Sequence, residues 1–301
     1  MAISSVRAQV NGTWYNLSYN SGTGKYEATI TAPGATSFNL DGGYYNVQVE
    51  ATNTAGTKGS ADGSSLAGLR LVVREKVAPV ISILSPSAGA YVTNNKQPVV
   101  FTLVDESGGS GIDLDSLVVK LDNTAVASAT LKATAITNGY SVTYTPDVAL
   151  GDGAHTVSIA VNDNDGNAAT QKSTTFTVDT VPPTLNITAP VEGLVTAVPS
   201  LNVVGNTNDS TSSPVVITIK LNGTDQGSVS VASNGSFTKN ITLANGNNII
   251  EVVATDAAGK TSSVTRQVTL DTSVPKVVSA TITPNPVDAG ATMIISVEID
   301  G

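Results

Sequence analysis

The stretch Leu150-Gly-Asp-Gly-Ala-His-Thr-Val-Ser-Ile-Ala-Val-Asn-Asp-Asn-Asp-Gly166 decides the fold, because its pattern occurs three times in the chain. Leu40-Asp-Gly-Gly43 is followed by Val47, Val49, Ala51 and Gly56, and Leu243-Ala-Asn-Gly246 by Ile250, Val252, Ala254 and Gly259. These intervals match those of Val157, Ile159, Val161 and Gly166. A turn glycine, apolar residues at every second position and a second turn glycine describe one half-buried antiparallel strand between two turns. The copies recur at roughly a hundred residues, which is the size of a domain and far longer than a solenoid repeat.

Outward from that strand, the 301 residues have room for two or three domains with cores of their own. Hydrophobic residues make up 40% of the chain, but charged residues only 13%, so Ser, Thr, Asn and Gly must build the polar surface. The net charge of −9 leaves no basic patch to neutralise phosphates and repels anionic lipid, which argues against nucleic-acid binding and membrane insertion. There is no cysteine, hence no disulfide and no thiol chemistry. The opening MAISSVRAQVNGTW lacks the basic start and apolar run of a signal peptide. A role outside the cell then implies either a removed leader or export inside an assembled particle.

The chain divides into repeats of short alternating strands. Asn11-Gly12, Asn138-Gly139, Asn222-Gly223 and Asn234-Gly235 mark tight hairpins, and no segment sustains a helical apolar period. Seven or so strands per repeat, with turns every 8 to 12 residues, predict an all-β protein of β-sandwiches. The boundaries fall at Glu75-Lys-Val-Ala-Pro79, Asp179-Thr-Val-Pro-Pro183 and Asp271-Thr-Ser-Val-Pro275. They give domains at 1–77, 78–181 and 182–275 and a two-strand segment at 276–301. Gly/Ser/Ala-rich residues from Gly56 to Gly68 read as a flexible insertion, with Leu69, Leu71 and Val73 closing the first domain. Alignment on the repeat leaves the first domain short of two opening strands, and residues 276–301 hold two such strands. This predicts strand complementation of one copy's first domain by residues 276–301 of another.

The runs AVNDNDGNAATQKSTTFTVDTVPP (Ala160 to Pro183) and VVATDAAGKTSSVTRQVTLDTSVP (Val252 to Pro275) resemble the tandem bacterial immunoglobulin-like domains of surface adhesins and phage structural proteins. Gly109-Ser-Gly-Ile-Asp113 is similar to a further motif of these domains. The resemblance covers residues 79 to 275 well and the first domain more weakly, where Glu75-Lys76 replaces the Asp-Thr pair. It implies tandem immunoglobulin-like sandwiches in an elongated array. Because this fold serves wherever a spacer or binding surface is needed, it says little about function.

In some adhesins of this kind interdomain aspartates bind calcium, and oxygen-only ligands suit that hard cation. By this resemblance Asp163, Asp165 and Asp179 are candidates for one calcium site and Asp256 with Asp271 for another; Asp105, Asp113 and Asp115 form a further acidic loop. The alternative is that these aspartates only cap turns, with no cofactor at all. His155, the sole histidine, reads as an exposed strand residue, and no spacing supports a catalytic triad. With one Trp and four Phe there is little material for a sugar-stacking cleft, so no enzyme is expected. Lys120 and Lys220 alternate with inward residues and face solvent rather than an internal crosslink. Trp14, Tyr15, Tyr19, Tyr44 and Tyr45 make the first domain the preferred docking surface. The expected role is a structural or attachment component of a bacteriophage or tail-like particle, located in the virion. Its partners would be other virion proteins, further copies of itself and a host-surface glycan or protein. The alternative is a fragment of a cell-surface adhesin or extracellular fibre.

Overall fold

The computed structural model describes residues 2–300. Nearly all regular structure is β, and the helical pieces are three 3-10 turns at Asp41–Gly43, Ala67–Leu69 and Ser128–Thr130. The chain forms two compact units, one ending at Val178 and one beginning at Asp179. The sequence boundaries drew a line at residue 77 as well. In the structure the first two sandwich modules share one unit, joined by the contacts around Glu75 described below.

The second module shows the complete architecture. One sheet runs β13 (Leu131–Ile136), β14 (Gly139–Tyr144), β10 (Val99–Val104) and β8 (Val80–Ser85). The other runs β12 (Thr124–Ala125), β11 (Ile112–Leu121), β15 (Gly153–Asp163), β16 (Lys172–Val178) and β9 (Tyr91–Val92), the last pair parallel. Strand alternation puts Val157, Ile159 and Val161 of β15 on one inner face and Val99, Phe101 and Leu103 of β10 on the other. None of these six exceeds 2% exposure, so the repeated stretch is the central strand of a dry core. The acidic loop after β10 is shorter than the sequence suggested, since β11 already begins at Ile112.

The third module repeats this. The sheet β17 (Thr184–Ala189), β19 (Ser200–Asn208), β22 (Ser236–Thr242) faces β18 (Leu194–Thr196), β24 (Thr261–Leu270), β23 (Gly246–Thr255), β20 (Val216–Leu221) and β21 (Thr224–Asp225). Ile250, Val252 and Ala254 of β23 are fully buried. Two of the four expected hairpins form as two-residue type I′ connections, Asn11-Gly12 (φ 47° and 78°) and Asn222-Gly223 (49° and 83°), whereas Gly139 already pairs with Ile136 in the ladder and the turn at Asn234-Gly235 is longer, running from Ala232 to Ser236.

The first module has one large layer. Its sheet runs β3 (Lys25–Glu27), β2 (Thr13–Asn20), β1 (Ile3–Val10), β5 (Gln48–Asn53) and β6 (Lys58–Ala61). A small ladder joins β4 (Tyr45–Asn46) to β7 (Arg70–Leu71). The glycine-rich insertion is therefore not wholly a loop. Residues 58–61 pair with β5, and the closing strand is split by Asp62 to Leu69 before β7 resumes it. Finally β25 (Lys276–Thr283) and β26 (Ile294–Asp300) form an antiparallel two-stranded sheet in the second unit.

Candidate metal centres

Each complete module gathers three carboxylates at one end, and two of the three come from equivalent positions, a third equivalent pair being Asp163 and Asp256, of which only Asp256 joins its trio. Glu75 and Asp179 each stand four residues before a junction proline, Pro79 or Pro183. Asp105 and Asp209 directly follow β10 and β19, where the chain leaves the sheet. Asp163 and Asp256 each lie three residues before a turn glycine, Gly166 or Gly259, both with positive φ. In both turns the backbone is tied identically: Asn167 N–H to Asp163 Oδ1 and Lys260 N–H to Asp256 Oδ1, each at 2.8 Å.

In the second unit Asp179, Asp209 and Asp256 each bring a carboxylate oxygen within 4.8 Å of the others, and all three residues are buried. Asp179 Oδ1 accepts from Val181 N–H and its Oδ2 from the Ser212 hydroxyl; Asp209 Oδ1 accepts from the N–H groups of Thr211 and Ser212. Asp256 is 5% exposed, and its Oδ2 accepts nothing. A buried carboxylate oxygen without a donor, beside two more carboxylates, is a costly arrangement unless a cation completes it.

In the first unit the trio is Glu75, Asp105 and Glu106, again within 4.8 Å. Here every member has an unpartnered buried oxygen: Glu75 Oε2, Asp105 Oδ1 and Glu106 Oε2. Their other contacts fix the trio, with Ser110 N–H donating to Glu75 Oε1 and Gly111 N–H to Asp105 Oδ2. Gly109 leaves the space for it, since a Cβ there would lie 2.5 Å from Asp105 Oδ2 and 2.9 Å from the Glu106 carboxyl. Asp163, at the place of Asp256, has both oxygens satisfied by the Asn167 backbone and side-chain amides, which withdraws it from the cluster. The donors are all oxygens, the kind of ligand a hard cation takes.

Of the five aspartates singled out in the sequence, Asp179 and Asp256 come together. Asp163 is the satisfied residue just described. Asp165 Oδ2 accepts from Thr36 Oγ1 at 2.6 Å and Glu75 N–H at 3.0 Å, tying the first module to the second. Asp271 accepts the N–H and hydroxyl of Ser273, which hold its carboxyl below the usual range. Asp105 joins a trio, whereas Asp113 accepts from Asp115 N–H. The sequence reading missed Asp209, Glu75 and Glu106. A signal existed: Glu75 to Asp105 and Asp179 to Asp209 are the same thirty-residue interval.

His155 is half-buried rather than exposed. Its Nδ1 lies 2.7 Å from Asp122 Oδ2 and its Nε2 2.8 Å from Gly151 O, so both ring nitrogens are engaged. Burial pushes its pKa down, but the Gly151 carbonyl and the Asp122 carboxylate outweigh this and hold it above the ordinary 6.5. Lys120 is exposed, and Lys220 lies 3.5 Å from Glu251 at the surface. The aromatic residues of the first module split between faces. Trp14 lies under the Arg7 guanidinium at 4.2 Å on the outer face, Tyr45 is buried, and Tyr19 is 59% exposed.

Two family models match the chain: bacterial Ig-like domain over residues 87–180, and glucodextranase, domain B, over residues 183–272. The chain consists of tandem immunoglobulin-like domains. Among solved structures, the Ig-like chain is similar to the fibronectin(III)-like modules of Clostridium thermocellum CbhA, at 17% identity over 64% of this chain and 94% of that one, with TM-score 0.41. It is also similar to a structure from a 1.5-MDa bacterial ice-binding adhesin, at 19% identity over 90% and 88% with TM-score 0.29. A third is Sidekick-1 immunoglobulin domains 1–4, at 11% identity over 90% and 68% with TM-score 0.38. No curated protein sequence matches. Among the described residues no helix is long and apolar enough to cross a membrane.

Proposed function

We propose that this Ig-like chain is a non-enzymatic structural and attachment protein whose modules are braced by calcium. The observation that carries the reading is the recurrence of three clustered carboxylates at the same end of two modules, with buried oxygens left without donors. A cation there ties the junction strand to the loops of its own module, which stiffens a spacer without creating a reaction centre. The carrier is a bacteriophage or tail-like particle, where the chain meets other virion proteins, further copies of itself and a host-surface glycan or protein. The acidic surface rich in Ser, Thr and Asn, a composition common in virion β-proteins, supports this. Copy number would then multiply weak contacts to a host surface. A bacterial cell-surface adhesin is the second reading, favoured by the family model over residues 87–180.

Immunogold electron microscopy with antibody to the purified chain tests both. Label on tails or capsids of released particles supports the first, and label on intact cell envelopes the second. Label confined to the cytoplasm in a strain that makes and releases particles refutes both.

A further inference from the structure

We propose that the centre formed by Glu75, Asp105 and Glu106 is the floor of a saccharide site, where the bound cation completes its shell with a vicinal hydroxyl pair of a neutral sugar ring. The inference rests on the calcium reading above and adds the class of ligand.

The trio leaves a cation incompletely coordinated. Glu75 Oε1 and Asp105 Oδ2 already accept from Ser110 N–H and Gly111 N–H, so each residue has one buried oxygen without a donor to offer. Calcium takes about six to eight oxygens, and three carboxylates held in this way leave part of that shell unfilled. Asp105 and Glu106 line a cleft of about 520 Å³ and Glu75 does not, so the trio opens on the cleft, with the junction strand behind it. Asp105 is only 4% exposed, and the oxygens without donors are buried. A molecule in the cleft therefore reaches them only through a cation.

The rest of the cleft suits a sugar. One wall is apolar, from Ile136 and Tyr140, and Tyr140 is half-buried, so part of its ring is open. The polar wall is held in place: the Asn138 carbonyl accepts from Asp105 N–H at 2.9 Å, and Asn39 of the first module donates its amide to Gly109 O at 2.7 Å. Ligand sites of this size pair an apolar wall with a few placed polar groups. A pyranose ring matches both, with a C–H face for Tyr140 and a hydroxyl edge for the cation. Charge selects a neutral ligand, because three carboxylates outweigh a divalent cation by one unit on a chain of net charge −9, which repels an anion.

The third module supplies the contrast. A Cβ at Gly139 would meet Leu103 O and one at Gly235 would meet Thr207 O, each carbonyl two residues before Asp105 or Asp209. Tyr140 therefore corresponds to Ser236, and the cleft beside Asp209 has no aromatic residue in its lining. The sugar site belongs to the first unit.

The test uses the full chain and three neutral probes, the methyl glycosides of mannose, galactose and fucose, with the methyl glycoside of glucuronic acid as the anionic comparison. Saturation-transfer NMR in millimolar calcium should show at least one neutral glycoside bound, and the signal should vanish in EGTA. Tyr140→Ser and Glu106→Gln should each weaken that glycoside at least tenfold, whereas Tyr140→Phe and Asp256→Asn leave it unchanged. Should Tyr140→Ser fail to fold, Glu106→Gln, in a loop, decides alone. Isothermal titration with calcium separates the two claims: Tyr140→Ser keeps the wild-type calcium binding, and Glu106→Gln loses the site in the first unit. Calcium binding with no glycoside signal overturns the saccharide assignment and leaves the calcium reading standing. A signal that survives EGTA, is unmoved by both Tyr140→Ser and Glu106→Gln, or appears only for the glucuronic acid glycoside also overturns the assignment. No calcium binding in the titration refutes the calcium reading, and the saccharide site falls with it.

Discussion

The isosteric change Asp256→Asn separates a cation site from a merely crowded one. In the wild type, Asp256 Oδ1 accepts from Lys260 N–H and Oδ2 accepts nothing, with carboxylate oxygens of Asp179 and Asp209 within 4.8 Å. At an effective dielectric near 20, two ionised carboxylates at 4.8 Å repel by roughly 3 kcal/mol. A bound calcium would offset that repulsion, which the asparagine variant never has in full. The Asn side chain keeps the acceptor for Lys260 and places an amide donor where the orphaned oxygen stood. Its expected behaviour is therefore opposite in the two conditions. In EGTA, Asp256→Asn matches or exceeds the wild type in melting temperature; in millimolar calcium it falls well below. Saturating the wild-type site a hundredfold above its Kd contributes about 2.7 kcal/mol. For a unit of this size that is a rise of roughly 10 °C or more in its transition. Differential scanning calorimetry of both proteins, in EGTA and across a calcium titration, reads both numbers. A wild-type transition that calcium does not move, with Asp256→Asn less stable than wild type in EGTA, refutes the metal assignment and leaves the trio as ordinary turn caps.

Two further outcomes are expected. His155 has a folded pKa raised above 6.5, so the stability from its protonated contact with Asp122 is fully present below 6.5 and is lost as pH rises through the raised folded value. Melting followed at pH 5.5 and pH 8.5 should show a larger fall for the wild type than for His155→Gln, and equal falls would remove His155 from the account. Ala at Gly235 places a Cβ 2.0 Å from Thr207 O at a φ of +81°, and Ala at Gly139 places one 1.9 Å from Leu103 O. Each should cost about 1–3 kcal/mol by forcing adjacent strands apart, and urea midpoints unchanged from wild type would contradict the strand register.

The fold was legible because its signal is local and repeated. Val157, Ile159 and Val161 alternate within five residues, and the turn glycines beside them take positive φ, so pattern and backbone chemistry point to one strand without knowledge of its partners. The split closing strand of the first module was not legible. Lys58 to Ala61 has the composition of a loop, and only its pairing with β5 makes it a strand. The acidic trios failed for a different reason. Asp179, Asp209 and Asp256 are far apart in sequence, and each taken alone reads as a turn residue, which Asp163 and Asp271 in fact are, while Asp165 ties the first module to the second.

What distinguishes an open carboxylate from a capped one here is the residue four positions after it. Asn167 follows Asp163 by four residues and gives its side-chain amide to Oδ2 at 2.7 Å; Lys260 follows Asp256 by the same four and has no amide to give. The same turn thus closes one aspartate and leaves the other open, and where Asp163 is closed, Glu106 stands in the trio instead. Lys260→Asn should then give Asp256 Oδ2 the donor it lacks, and isothermal titration of that variant should show weaker calcium binding in the second unit. Undiminished affinity would mean that the orphaned oxygen is not a ligand, whatever the calorimetry of Asp256→Asn had shown.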